Sequence, residues 1–355
     1  MNKKIILSGG GTGGSVTPLL QIYKEFKYEF NFLFIGTYRG IERDLVKKEA
    51  IEYRAISSGK LRRYFSLLNF IDIFKIFIAF WQSLILLKKE KPDLIISAGG
   101  FVAVPLSIAS WFWRIPIIVH QQDVVPGLAN RIMARFAKVV TVTFESSLCD
   151  YGNKARWIGN LGPDLKNFSA DRDDILKKYN IKKSHLPLML VVGGGTGSSF
   201  INQLISQSIE DLLIFTRVFH VSGKIDRSDD KKIINNNYQK IDFIYHQDLL
   251  NLMLESDLVV SRCGLGALTE LSFFKKPAIL IPMPNSHQEE NAKEFAKLKS
   301  AKILEENTLR PDIFINEVKN ILNNPDLKKR LSENISLVIK NGNKEMMNII
   351  KEILN

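Results

Sequence analysis

Short apolar runs that close on glycine recur along this chain, and they recur as a repeat. Ile5-Ile6-Leu7-Ser8 opens onto Gly9-Gly10-Gly11-Thr12-Gly13-Gly14-Ser15, and Leu190-Val191-Val192 opens onto Gly193-Gly194-Gly195-Thr196-Gly197-Ser198. Asp93-Leu94-Ile95-Ile96-Ser97-Ala98-Gly99-Gly100 is matched by Asp257-Leu258-Val259-Val260-Ser261-Arg262-Cys263-Gly264. Ile115-Pro116-Ile117-Ile118-Val119-His120 is matched by Lys276-Pro277-Ala278-Ile279-Leu280-Ile281. An apolar run ending in glycine reads as a buried parallel strand feeding a tight turn. Strand-then-glycine segments occur in any α/β protein, but three pairs in the same order point to a duplicated domain. The pattern predicts an α/β protein of two Rossmann-like halves.

The boundaries follow from the same pattern. A first domain is expected over 1–160 and a second over 166–335, with Gly159-Asn160-Leu161-Gly162-Pro163-Asp164 as the linker. The segment 340–355 is an amphipathic helix expected to pack back on the first domain. The stretch from Leu67 to Leu87 predicts a helix whose Phe70, Phe74, Phe77 and Trp81 form one stripe, with Asp72, Lys75 and Ala79 opposite. Its longest apolar run, Ile76 to Trp81, is far shorter than the roughly 20 residues a bilayer span needs. Lys60, Arg62 and Arg63 precede it; Lys88, Lys89 and Lys91 follow it; Trp111-Phe112-Trp113-Arg114 is a second aromatic and basic cluster. Aromatics rimmed by cations suit an anionic lipid surface; the competing reading is a helix that covers a sheet with its aromatics in the core.

Charge narrows the partners. The chain of 355 residues carries 49 Lys and Arg against 37 Asp and Glu, a net charge of +12, which favours a polyanionic partner. No nucleic-acid motif is present, so an anionic membrane surface and a phosphate-bearing ligand are the preferred readings. Cys149 and Cys263 stand far apart without CxxC neighbours and suggest neither a disulfide scaffold nor a zinc site. No secretory signal fits before the first strand.

The chemistry-bearing residues lie at strand ends. Leu265, Gly266 and Ala267 present backbone N–H groups at a helix start, a site for a diphosphate. Glu270, one turn later, is placed to accept two ribose hydroxyls; a helix-start carboxylate favoured only by the dipole is an equal reading. His287, Gln288 and Asn291 are candidates for phosphate or sugar, although an exposed loop or capping residue is the better reading of His287 alone. In the first half His120-Gln121-Gln122-Asp123 ends a strand, where the ligand crevice of an open α/β sheet lies. Asp123 is the general-base candidate, with a helix N-cap as its alternative. Asp171-Arg172-Asp173 has the DxD spelling but reads as surface.

Together these residues resemble the MurG family of peripheral-membrane glycosyltransferases of peptidoglycan synthesis. The resemblance rests on Gly10 to Gly14, Gly36-Thr37 with Glu42, Gly99-Gly100, His120 to Asn130, Gly159-Asn160, Gly193-Gly194, Arg262 to Glu270, and Gln288 with Asn291. It implies the GT-B fold, two Rossmann-like domains facing across a cleft. It implies transfer of N-acetylglucosamine from UDP-GlcNAc to the C4 hydroxyl of the undecaprenyl-linked muramyl peptide, lipid I, giving lipid II with inversion. It places the protein at the cytoplasmic face of the plasma membrane. Carried over, the donor site comprises Thr12, Gly13, Gly14, Asp123, Gly195, Arg262, Leu265, Gly266, Ala267, Glu270, His287 and Gln288. The acceptor site comprises Gly11, Thr12, Gly13, Ser15, Gly100 and Phe101, and the membrane patch Phe70, Phe74, Phe77, Trp81, Trp111 and Trp113. Asp123 would be the catalytic base, aided by His120. Arg262 and the helix N-termini would stabilise the leaving UDP, and the scheme requires no metal or other cofactor.

The chain departs from the family mainly on the acceptor side. The family usually has His at Ser15, Glu at Gln121, Asn at Asp123 and an aromatic hydroxyl at Phe101, and its Asn-Pro-Val-Arg run stands here as Asn160-Leu161-Gly162-Pro163. The alternatives are a related transferase with another lipid-linked acceptor, a non-hydrolysing UDP-GlcNAc epimerase, and a catalytically degenerate UDP-sugar-binding protein. A nicotinamide oxidoreductase is disfavoured: Phe32-Leu33-Phe34-Ile35 ends in Gly36-Thr37 and not in the acid that would hold a ribose.

Overall fold

The computed structural model describes residues 3–11, 13–59, 68–163, 172–181, 184–195, 197–223 and 235–355. Thr12, Lys60, Arg62, Arg63 and Asp171 lie outside the described residues, as do the side chains of Phe70, Arg172 and Asp173.

The chain divides into two compact units, Met1–Pro163 with Asn341–Asn355, and Asp164–Lys340. The first holds strands β1 (Lys4–Ser8), β2 (Asn31–Thr37), β3 (Glu52–Ile56), β4 (Leu94–Ser97), β5 (Ile117–Gln121), β6 (Val139–Val142) and β7 (Ala155–Trp157). Between them run helices α1 (Thr17–Phe26), α2 (Ile41–Lys48), α3 (Leu68–Glu90), α4 (Ala103–Phe112) and α5 (Leu128–Ala134). The sheet order is β3-β2-β1-β4-β5-β6-β7, and every pairing is parallel.

The second unit holds α6 (Arg172–Lys178), β8 (Leu188–Val192), α7 (Ser199–Leu212), β9 (Arg217–Val221), β10 (Tyr238–Ile241), α8 (His246–Glu255), β11 (Leu258–Ser261) and α9 (Leu265–Phe273). It continues with β12 (Ala278–Leu280), α10 (His287–Lys297), β13 (Lys302–Ile303), α11 (Pro311–Leu322) and α12 (Pro325–Val338). Its order, β10-β9-β8-β11-β12-β13, is again parallel throughout. Both units are thus Rossmann-like, as the repeated pattern predicts. The last helix, α13 (Asn343–Leu354), belongs to the first unit, where Met346, Ile349 and Ile350 join the core around Ile5, Leu7, Phe34 and Ile96.

The repeat has a physical basis in the strand order. In each sheet the first strand is flanked on one side by the next strand in sequence and on the other by a later one, so β1/β4 and β8/β11 are the switch points. Those are the strands whose sequences repeat. The repeated aspartates have one job: Asp93 accepts the Lys4 N–H at 2.8 Å and Asp257 the Leu188 N–H at 3.0 Å. Each carboxylate pins the start of the central strand beside it and sets the register at the switch point.

Alternation along the strands buries both faces. Ile5, Leu7, Leu94, Ile96 and Ile118 pack toward α1 and α13, while Ile6, Leu33, Ile95, Val119 and Val140 pack among residues of α3, α4 and α5. This is the burial pattern of a parallel sheet covered on both sides.

Helix α3 runs three residues past the predicted Leu87. Its inner face carries Asp72, Ala79, Ser83 and Leu87, all buried, while Phe74, Phe77 and Trp81 are 70%, 59% and 53% exposed. The covering-helix reading therefore holds for one face; Phe74, Phe77 and Trp81 of the predicted stripe are exposed, as is Lys75, expected opposite them. Helix α4 packs on α3, with Trp113 Nε1 donating to the Leu84 carbonyl at 3.1 Å. No helix among the described residues is long and apolar enough to cross a membrane.

The units divide between Pro163 and Asp164, within the expected Gly159–Asp164 linker, while its Asn160–Gly162 stretch is built into the first unit. Asn160 and Leu161 are buried, Asn160 bridges to Asn341, and Gly162 exchanges hydrogen bonds with the Asn343 side chain. These contacts anchor α13. Because Ile350 is fully buried, Ile350→Ala is expected to lower unfolding stability by about 2–5 kcal/mol in urea melts.

Candidate active site

In a parallel sheet the carboxyl ends of all strands share one edge, so the loops that follow them gather there. In the first unit these are the glycine loop after β1, Thr37–Gly40 after β2, Gly99–Phe101 after β4 and Gln122–Pro126 after β5. Gly100 has φ +98°, and a Cβ there would meet the Gly10 carbonyl oxygen at 2.5 Å and its nitrogen at 2.7 Å. The two switch-point loops therefore touch backbone to backbone, which only glycine allows. At Gly11 and Gly13 a Cβ would meet nothing within 4 Å, so that side of the loop is open to a ligand.

A buried carboxylate ties the β1 loop to β2. Glu42, in the first turn of α2, accepts the Gly11 N–H at 3.3 Å and the Thr37 N–H at 3.0 Å, and also bonds the Thr37 hydroxyl. Its neighbour Ser15, predicted to touch the acceptor, does not face the open side. The side chain is buried and its hydroxyl donates to the Gly10 carbonyl at 3.1 Å, so it braces the loop from inside.

Asp123 is half-buried at the end of β5. It is not a helix cap, because the N-cap of α5 is Gly127. Gln122 Nε2 donates to the Ala98 carbonyl at 3.2 Å, joining the Asp123 loop to the Gly99-Gly100 loop. Gln121 and His120 sit underneath. His120, expected to assist the base, is fully enclosed. Its Nδ1 is 3.0 Å from Thr141 Oγ1 and its Nε2 3.0 Å from Asn160 Oδ1. Burial pushes its pKa down to about 4. It is a neutral strut between β5, β6 and the Asn160 turn, with no ring atom facing solvent.

In the second unit the same edge carries Gly193–Gly195 with Gly197 and Ser198, Arg262–Gly264 and Pro282–Ser286. A Cβ at Gly193 would meet the Ser198 nitrogen at 2.5 Å, whereas Gly194, Gly195, Gly264 and Gly266 face open space. Helix α9 starts at Leu265 with Gly264 as N-cap and no side-chain cap. Its first N–H groups are the orphan donors of a helix start, and the dipole places positive potential there. Glu270 lies one turn on, its side chain only 13% exposed, with Oε1 2.7 Å from His246 Nε2. Glu270 is therefore a paired, partly buried carboxylate. His246, the first residue of α8, carries no sequence signal, since it stands outside every glycine motif. Exposed His287 opens α10 behind Ser286, the N-cap. Gln288 Oε1 accepts the N–H groups of Cys263 at 3.2 Å and Met283 at 3.1 Å, leaving Nε2 with no acceptor among the described residues.

Arg262 is a correction. Expected at the leaving diphosphate, its guanidinium is 11% exposed and bound within the protein. Nε and Nη2 donate to Ser198 Oγ at 3.1 and 2.7 Å, and Nη1 to the carbonyls of Ile281 and Pro282, both at 3.2 Å, and to the Glu306 carboxylate. It ties the loops after β8, β11 and β12 together. Asn291 is likewise fully buried, donating to the Cys263 carbonyl at 3.3 Å.

Two Rossmann-like units, each with glycine loops at its switch point, define a protein of the GT-B class. Residues 5–142 match the glycosyltransferase family 28 N-terminal domain and residues 188–351 the glycosyltransferase family 28 C-terminal domain. The chain belongs to glycosyltransferase family 28. It is 37% identical over 361 residues to the UDP-N-acetylglucosamine--N-acetylmuramyl-(pentapeptide) pyrophosphoryl-undecaprenol N-acetylglucosamine transferase of Clostridium tetani, covering 99% of this chain and 98% of that one. Its fold matches the crystal structure of Acinetobacter baumannii MurG with a TM-score of 0.76 at 24% identity, covering 99% of both chains. The Staphylococcus aureus MnaA-UDP structure matches with a TM-score of 0.73 at 15% identity, covering 99% and 97%.

The buried histidine makes a stability prediction. Its folded pKa of about 4 lies below the ordinary value of 6.5, so below pH 6.5 the unfolded chain binds the extra proton and folding loses stability. The contribution is complete above pH 6.5 and falls away toward pH 4. Between pH 7.5 and pH 5 it amounts to about 2 kcal/mol. Urea unfolding at the two pH values should show that loss for the native chain, and His120→Gln should remove it.

Proposed function

We propose that this protein transfers N-acetylglucosamine from UDP-GlcNAc to the C4 hydroxyl of the muramyl sugar of lipid I, with inversion, forming lipid II in peptidoglycan synthesis. The observation that carries this reading is family 28 membership over both units, with 37% identity to a transferase of that name across 99% of the chain.

The second unit supplies the donor site. The Leu265, Gly266 and Ala267 amides and the open backbone at Gly195 receive the diphosphate, Glu270 takes the ribose hydroxyls, and His287 with Gln288 Nε2 reaches the phosphates or sugar. Arg262 acts one step back, as a positioning residue for the loops that carry those amides. The first unit supplies the acceptor side. The backbone at Gly11, Gly13 and Gly100 receives the lipid-linked diphosphate, and Phe101 flanks it.

In the transfer step the Asp123 carboxylate takes the C4 hydroxyl proton. The hydroxyl oxygen forms a bond to the anomeric carbon from the face opposite UDP, and the bond from that carbon to the diphosphate oxygen breaks with its electron pair leaving on UDP. Developing charge on the leaving group is met by the helix-start amides, which are fixed before the reaction begins and need no reorganisation.

The lipid-linked acceptor has to be reached at a membrane. Phe74, Phe77, Trp81, Ile85, Trp111 and Phe112 are exposed on α3 and α4, with Lys88, Lys89, Lys91 and Arg114 at the helix ends. This surface is where the first unit meets anionic lipid, as a peripheral protein at the cytoplasmic face of the plasma membrane. Each cation near such a surface contributes on the order of 1 kcal/mol.

Release of UDP from UDP-GlcNAc should depend on a lipid I analogue and give a disaccharide product by mass. Acceptor-independent release, or a different glycan, contradicts the reading. Asp123→Asn should cut kcat by about 10²-fold or more with donor KM nearly unchanged; full activity would remove Asp123 as the base. Phe77→Ala/Trp81→Ala/Trp111→Ala should lose sedimentation with vesicles containing phosphatidylglycerol while keeping turnover on a water-soluble acceptor. Undiminished vesicle binding would rule this surface out.

A further inference from the structure

Gln121 is the last residue of β5, 2% exposed, and every hydrogen-bonding position of its amide is in use. Nε2 donates to the Asp123 carbonyl at 2.6 Å and, more weakly, to the Val125 carbonyl at 3.5 Å. Oε1 accepts from Asn130 Nδ2 at 2.7 Å and from the Tyr151 hydroxyl at 3.0 Å. The donors on the Oε1 side are fixed. Burial, the larger cause, and the Asp150 charge both push the Tyr151 phenol pKa up, so it stays protonated and donates. Asn130 turns its Nδ2 toward Gln121 even though its own Oδ1 is buried with no partner among the described residues. The Asp123 and Val125 carbonyls can only accept, so the amide has one allowed orientation, with its N–H groups under the loop that carries Asp123.

We infer that Gln121 is a positioning residue for the reaction: its two amide hydrogens hold the Asp123 and Val125 carbonyls and so fix where the Asp123 carboxylate points. This rests on the reading of Asp123 as the base. A carboxylate at position 121 could still accept from Asn130 and Tyr151, but its second oxygen would face two carbonyl oxygens with no hydrogen between them. That repels the loop and removes the hydrogen bonds Gln121 makes to the two carbonyls. The requirement for an amide here comes from those two backbone carbonyls, which can only accept. The titratable and charged groups around the position are Tyr151, with Asp150 and Arg131 acting on that phenol, and Asp123. His120 points away, toward Thr141 and Asn160.

The test is steady-state turnover of the full-length protein with UDP-GlcNAc and a lipid I analogue, for Gln121→Glu, Gln121→Ala and Asp123→Asn, from pH 6 to pH 8.5. Gln121→Glu should lower kcat about 10- to 100-fold at pH 8 with donor KM within about threefold of the native value. Burial beside carbonyls raises a carboxyl pKa, so acidification protonates the introduced carboxylate, restores one donor, and narrows the gap to the native protein at each pH. A merely unfolded variant would not regain turnover on acidification. Gln121→Ala should lose kcat by a factor that does not change with pH. The proposal is overturned if Gln121→Glu keeps native kcat at pH 8, if its deficit is independent of pH, or if Gln121→Ala turns over normally. A fully active Asp123→Asn protein would instead remove the base assignment, and a pH-dependent Gln121→Glu deficit would then still assign the loop-holding role.

Discussion

The close approach of the Gly10 and Gly100 backbones is the constraint on which the first unit's site depends. Two loops leaving adjacent parallel strands can touch there only because neither residue has a side chain, and Gly100 holds a backbone conformation that other residues adopt at a cost. That contact brings the β1 and β4 loops to one place, and Gln122 draws the Asp123 loop onto the same spot through the Ala98 carbonyl. The second unit reaches an equivalent edge differently. There an arginine does the gathering, with Ser198, Ile281, Pro282 and Glu306 around one guanidinium.

Beneath each edge lies a layer of buried polar side chains whose partners are all internal. Glu42, His120 and Gln121 serve the first unit, and Arg262 and Asn291 the second. Buried polar groups are costly unless satisfied, and nearly every one of these bonds goes to a loop backbone or to a side chain that holds one. The layer explains why residues with reactive side chains turn out to act at one remove. In the proposed function the ligand-facing positions are left to backbone amides, glycines, Asp123, Glu270, His287 and Gln288.

How much of this is legible in the sequence depends on whether the signal is periodic or local. The parallel strands and their glycine loops are readable because the two halves repeat them. The exposed aromatic face of α3 is readable because Phe74, Phe77 and Trp81 keep helical spacing. Asp93 and Asp257 belong to the repeated pattern, but their bonds to Lys4 and Leu188 become visible only with the strand order. Arg262, Ser15 and His120 read as ligand contacts because a motif position says what lies near a site, not which way a side chain points. The pairing of His246 with Glu270 and of Gln121 with Asn130 and Tyr151 joins residues 9 to 30 apart in sequence, by the fold and by no local pattern. The unit boundary falls within the expected linker, between Pro163 and Asp164, but the hold of His120 and Asn341 on Asn160 is a contact that composition does not reveal.

The central claim is that the open backbone at the start of α9 and the Glu270 carboxylate take the donor nucleotide, while Arg262 stays within the protein. A crystal structure of the full-length protein with UDP-GlcNAc tests this most directly. The account predicts diphosphate oxygens within about 3 Å of the Leu265–Ala267 amides, ribose hydroxyls on Glu270, and the Arg262 guanidinium still on Ser198 and Glu306. A diphosphate bound by the Arg262 guanidinium, or a nucleotide lodged away from α9, would contradict it.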